Sequence, residues 1–277
     1  MSESVKAVAL IDIAFIVMLL LSGSLTGFLG EAVYYLAFII PIAIGFKWSA
    51  RLKYDREERR GLAEPGDGLL TFDKKRLLKL LPLIAPSVTA VFLVSLLFSY
   101  IYSLVGVTAP PVEDTGIVNM LLVHAFVPAI LEESLFRYIP MKLILPYSKK
   151  WCVLYSSLFF ALIHCSLVQL PYAFVAGIIF MLIDVALGSV WPSVILHFVN
   201  NTASIVCMKY CSDTPRVLIF VSVLTLLSLL SLFFLWKKRG EYKRVFRGAL
   251  DSGESGSVGS APIMLAMLCL FLAVTSI

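Results

Sequence analysis

Long apolar blocks separated by short polar clusters set the pattern of this chain. The blocks fall at 5–21, 28–48, 82–106, 117–141, 151–168, 171–188, 190–208, 215–236 and 261–277. A helix of about 20 apolar residues crosses a bilayer. The pattern therefore predicts an all-α, polytopic membrane protein of about eight to nine transmembrane helices. The last block is short and follows the Gly/Ser-rich stretch 251–260, which reads as a flexible linker. Lys6 ahead of the first block and small residues at 22–24 imitate a secretory signal, but Asp12 inside the block and the later spans argue against one.

Composition agrees. Of 277 residues, 60% are hydrophobic and 15% charged, and mean hydropathy is +0.93. A soluble domain is closer to half apolar and a quarter charged. These figures exclude a soluble domain, a disordered chain and a nucleic-acid-binding module. Five cysteines without a C-x-x-C pair indicate neither a disulfide framework nor a zinc ribbon. The net charge of +5 is a topology signal. Lys and Arg crowd into 49–80, into the link holding Lys142, Lys149 and Lys150, and into the link after 236. With a cytoplasmic N-terminus all three face the cytoplasm, and Lys209 and Arg216 are the main exceptions on the other side. In the segment 49–80, "DREERR" reads as a short solvated helix or turn and "EPGDG" as loop punctuation. A polybasic lipid-binding role for 51–60 is the lesser reading.

Charges inside spans carry the chemistry. A charged side chain at mid-bilayer costs about 2.5–3.5 kcal/mol on insertion scales, so intramembrane ionisable groups suggest function. The fourth span holds Glu132, Glu133 and Arg137, and the three histidines of the chain, His124, His164 and His197, all lie in predicted spans. Glu133 and Arg137 are four apart on one helix face and read as a structural pair that shapes the site. Glu132 is turned about 100° away and is free for another partner. Phe160 and His164 are four apart, as are His197 and Asn201, with Asn200 a near neighbour on that face. Pro192 suits the first turn of a helix. Pro128 removes an i→i−4 bond to the carbonyl of His124 and predicts a kink. Asp184 reads as a buried, hydrogen-bonded acid near the site rim, and Cys207 and Cys211 as free apolar cysteines. By helix depth, Glu132 and His197 lie roughly 14 Å and 10 Å from the inner ends of their spans and His164 roughly 20 Å, which permits one site open to the cytoplasm.

Glu132-Glu133-x-x-x-Arg137, Phe160-x-x-x-His164 and His197-x-x-x-Asn201, in that order on successive spans, resemble the CAAX-protease and bacteriocin-processing family, also called the Abi family of intramembrane proteases. "LGSVWPSVILHFVNN" is similar to that family's lead into its last motif. The resemblance covers about 117–205 and implies a catalytic core at 117–208, between N-terminal spans in 1–116 and C-terminal spans in 209–277. It implies an intramembrane endopeptidase of the type that trims prenylated CAAX proteins; bacterial relatives are tied to peptide processing, bacteriocin self-immunity or cell-envelope traits. By the same carry-over Glu132 and His164 activate a water, and His197 and Asn201 stabilise the oxyanion. No cofactor is expected; zinc held by Glu132, His164 and His197 is the alternative. H-E-x-x-H is absent, so a site-2 type of zinc protease is not supported. The expected partners are membrane lipid and a membrane-associated peptide or protein, with no nucleic acid, and the expected setting is the bacterial plasma membrane. The rival readings are a non-catalytic immunity or partner-binding protein of the same fold and a transporter, though no internal repeat supports the latter.

Overall fold

A computed structural model describes residues 3–52, 67–107, 114–164 and 166–250. The block at 261–277, its linker and residues 53–66 of the basic segment 49–80 lie outside the described residues. Those described form nine α-helices and no strand: α1 Glu3–Gly23, α2 Gly27–Leu52, α3 Lys74–Ser103, α4 Ile117–Leu143, α5 Lys149–Leu162, α6 Leu170–Leu187, α7 Trp191–Tyr210, α8 Thr214–Lys237 and α9 Arg239–Leu250. A 3₁₀ turn, Asp67–Leu70, precedes α3. Six helices, α1, α2, α3, α4, α6 and α8, are long and apolar enough to cross a membrane. The blocks 151–168 and 190–208 are helical but fall outside that set. The first yields only the 14 residues of α5, and the second carries His197, Asn200 and Asn201 in α7.

Helix ends follow from local chemistry. Asp73 accepts from Lys75 N at 2.9 Å and starts α3 about two turns before the apolar block, since Lys74, Lys75 and Lys79 are tolerated at a membrane edge. Ser148 caps α5 by accepting from Trp151 N at 3.3 Å. Gly188 at φ 63° ends α6 in the left-handed region that favours glycine. Pro192 sits in the first turn of α7, as its missing N–H requires. Asp184 of α6 accepts from Ser193 N at 2.9 Å and so satisfies a donor of that turn. It is buried and hydrogen-bonded as expected, against the start of α7 and outside the cavity lining. The sequence did not predict α9, a basic amphipathic helix whose Val245 and Phe246 pack on the α3–α6 cluster while Tyr242 Oη donates to Lys79 O at 3.0 Å.

Tight packing gathers around the middle of the bundle. Phe15, Phe38, Phe136 and Phe159 meet edge to face, with centroids 5.1–6.1 Å apart in the closest pairs. Beside them the buried Asp12 accepts a hydrogen bond from the Tyr155 hydroxyl. This partner explains how α1 carries an acid within an apolar block. Outward, Leu226, Leu229, Leu230 and Phe233 of α8 stand exposed, a lipid-facing surface where hydrocarbon replaces water.

Helices α5 and α6 approach closely at Gly177. A Cβ there would stand 2.7 Å from Ser157 Cα and 2.9 Å from its Cβ. Small residues permit such backbone contact in membrane bundles. Gly177→Ala should therefore push the two helices apart and lower stability by about 1–3 kcal/mol, seen as a lower thermal midpoint in detergent. An unchanged midpoint would refute this contact.

Candidate functional site

Helix α4 is not a plain α-helix. Leu122–Phe126 and Ser134–Tyr138 are π-helical turns on either side of the segment Val127–Glu133. Such turns change which face a side chain presents and recur at functional sites. Between them stand Glu132 and Glu133, both buried, and Arg137 lies in the second π turn, fully buried.

Glu133 is the bridge of the site. Its Oε2 lies 3.2 Å from Arg137 Nε, an ion pair whose angle falls short of a hydrogen bond. Its Oε1 lies 2.7 Å from His197 Nδ1 of α7. The expected Glu133–Arg137 pair is present, but the histidine bond across to α7 was not foreseen. It spans 64 residues of sequence, beyond the reach of helical spacing. Arg137 also donates to Ser156 Oγ at 3.1 Å and to Phe136 O at 3.3 Å, and its guanidinium sits 4.5 Å above the Phe160 ring. A fully buried arginine is tolerable only with such a set of partners.

Glu132, His164, His197 and Asn201 line one cavity of about 1190 Å³, together with His124, Phe160, Phe180 and Asn200. Glu132 Oε2 is 4.0 Å from His197 Nε2 and has no hydrogen-bond partner. That gap is too long for a direct bond. Asn200 Oδ1 is a second buried acceptor without a partner. Buried acceptors of this kind call for donors, so the cavity suits a hydrated, polar occupant.

His164 corrects the sequence reading. It was expected within the fifth span, but α5 ends at Leu162 and His164 stands in the following turn. Its Nδ1 donates to Phe160 O at 2.8 Å, a carbonyl of the last helical turn that lacks an intrahelical donor. This bond explains the F-x-x-x-H spacing: it fixes the tautomer and leaves Nε2 as the acceptor in the neutral ring. The Phe160 ring stands edge-on to both histidines, 5.1 Å from His164 and 5.7 Å from His197. Phe160 thus touches all three motifs, a role for which its place in the F-x-x-x-H pattern was the only signal. Asn201 Nδ2 donates to His124 O at 3.0 Å, the carbonyl that Pro128 deprives of its α-helical donor. One of its two amide hydrogens is thereby committed, and one remains.

Helix depth permitted a site open toward the bundle end that carries the basic links. Gly23, Gly27, Glu31, Thr115, Asn119 and Ser204, among the exposed residues that line the cavity, stand at the end of α1, the starts of α2 and α4 and toward the end of α7. That is the bundle end away from Lys74, Lys149 and Lys237. Depth along a helix cannot tell which end of a cavity is closed; helix packing decides it.

The donor set does not suit zinc. Among the described residues no three His, Cys, Asp or Glu side chains form a ligand group. Two ligands of one tetrahedral zinc, each about 2.0–2.1 Å from the ion, stand closer together than the 4.0 Å between Glu132 and His197. The side chains as placed do not fit a zinc site. Cys207 and Cys211 are both free, as expected.

Fold and cavity together define an integral membrane protein of helical type with polar side chains converging inside the bundle. Residues 114–203, about a third of the chain, match the family model described as type II CAAX prenyl endopeptidase Rce1-like. The family is a protease family, and the three motifs that resembled it all fall inside the matched segment. No curated protein and no solved structure matches the chain.

Proposed function

We propose that this chain is an intramembrane endopeptidase in which Glu132 and His164 activate a water and His197 with Asn201 stabilises the oxyanion. The observation that carries the reading is the unpartnered Glu132 carboxylate oxygen, 4.0 Å from His197 Nε2, in a cavity that both share with His164 and Asn201. A water held there meets a carboxylate able to take its proton. His164 offers Nε2 as a second acceptor, because its Nδ1–H is held by Phe160 O. As the water attacks a peptide carbonyl, negative charge grows on the carbonyl oxygen. The second Nδ2 hydrogen of Asn201 is free to meet it. His197 already gives Nδ1–H to Glu133, so its oxyanion role requires the doubly protonated ring. Glu133 positions that ring and Arg137 offsets the charge of Glu133, as an acid does for the histidine of a serine protease triad. The proton taken by Glu132 then goes to the leaving amine.

The reaction so drawn needs no metal. Purified protein in proteoliposomes should cleave a membrane-anchored peptide reporter at an unchanged rate after chelator treatment, with substoichiometric zinc by elemental analysis. Loss of activity on chelation, restored by zinc, would overturn the metal-free reading. A reporter left intact under every condition would overturn hydrolysis itself.

A further inference from the structure

The cavity is closed at one end of the bundle and open at the other, and the positive charge of the chain gathers at the closed end. Phe160, Phe180 and His197 line it, with the His197 ring 5.7 Å from Phe160 and 6.3 Å from Phe180. None of the residues that tie the basic end together lines the cavity. Trp191 Nε1 donates to Leu70 O at 2.8 Å, Ser189 Oγ donates to Leu69 O at 3.2 Å, and Arg76 donates to Gly188 O. Lys74, Lys75, Lys79, Lys237, Lys238 and Lys243 lie at this end. At the open end, Lys209 and Arg216 are the only Lys or Arg among the described residues. Each is ion-paired, Lys209 to Asp114 at 2.7 Å and Arg216 to Asp213 at 3.5 Å.

Lysine and arginine in short loops stay on the cytoplasmic side of a membrane. This rule, applied to the packed bundle, sets the closed end in the cytoplasm. We propose that the cavity opens on the extracytoplasmic face and takes an uncharged or basic polypeptide segment presented from that side. The substrate half of this proposal rests on the hydrolytic reading above; the orientation half does not. Among the described residues no Lys or Arg lines the cavity, whereas Glu31 stands at its rim and Glu132 within it. An acidic segment would find no cation there, and a tail anchored in the cytoplasmic leaflet would meet the closed basic end.

The test uses the full chain in intact cells, with Cys207→Ala and Cys211→Ala to clear the open end of native thiols. Glu31→Cys at the rim and Lys238→Cys at the basic end are each exposed to a membrane-impermeant maleimide. Glu31→Cys should label in intact cells, and Lys238→Cys only after permeabilisation. The reverse pattern, or labelling of Lys238→Cys in intact cells, overturns the orientation. Two reporters then carry the same apolar target segment on opposite faces of the membrane. Only the extracytoplasmic one should be cut. Cleavage of the cytoplasmic one overturns the substrate assignment. Expected labelling with neither reporter cut overturns hydrolysis, and the substrate assignment with it, while leaving the orientation standing.

Discussion

Glu132→Gln should lower the initial rate of reporter hydrolysis by about 10²–10⁴-fold, the usual contribution of a positioned general base. The substitution keeps the shape of the side chain and removes its ability to take a proton. Because Glu132 Oε2 has no partner to lose, the fold should change little. The His197–Glu133 bond is untouched, since it uses the other carboxylate. The measurement is the initial rate in proteoliposomes at equal protein, with the thermal midpoint recorded beside it. A variant that cleaves at the parent rate would remove Glu132 from the chemistry. A fall in rate that only tracks a fall in midpoint would reduce it to a structural acid.

Arg137→Met should instead act on stability. Glu133 and Arg137 are both fully buried, and the change leaves the Glu133 carboxylate without its cation. Breaking a buried pair by removing one partner costs about 3–5 kcal/mol. The double variant Glu133→Leu with Arg137→Met leaves no uncompensated charge and should recover much of that loss, as apolar replacement of buried pairs often does. Activity should stay low in the double variant, because His197 Nδ1 loses the acceptor that holds its ring. Thermal midpoints and reporter rates of the single and double variants separate the two effects. Full activity in the double variant would show that Glu133 does not position His197.

These expectations draw unequally on sequence and structure. Apolar block length was enough for membrane helices, since a bilayer asks for little beyond about 20 apolar residues. The block 151–168 shows where that signal stops. Its composition stays apolar through His164, but the backbone leaves the helix at Leu162, and the imidazole caps the freed carbonyl of Phe160. Composition does not report such an exchange of one donor for another. The basic helix α9 was missed because it lies where the charge reads as a topology signal, and its apolar contacts, Val245 and Phe246, are few.

In the site, spacing by four residues within one helix paired Glu133 with Arg137 correctly, because that geometry is local. The bond from Glu133 to His197 and the bond from Asn201 to His124 O join α4 to α7. No periodicity carries them, because they depend on how two helices cross and on the π turns that rotate α4. The sequence by itself determined a helical membrane protein, its motif residues and the end of the bundle that holds the positive charge, because each follows from local spacing or from the cost of charge in hydrocarbon. Only the tertiary structure decided which buried groups share one cavity, which carboxylate is left unpartnered and which end of the cavity is open, because these depend on contacts between helices distant in sequence.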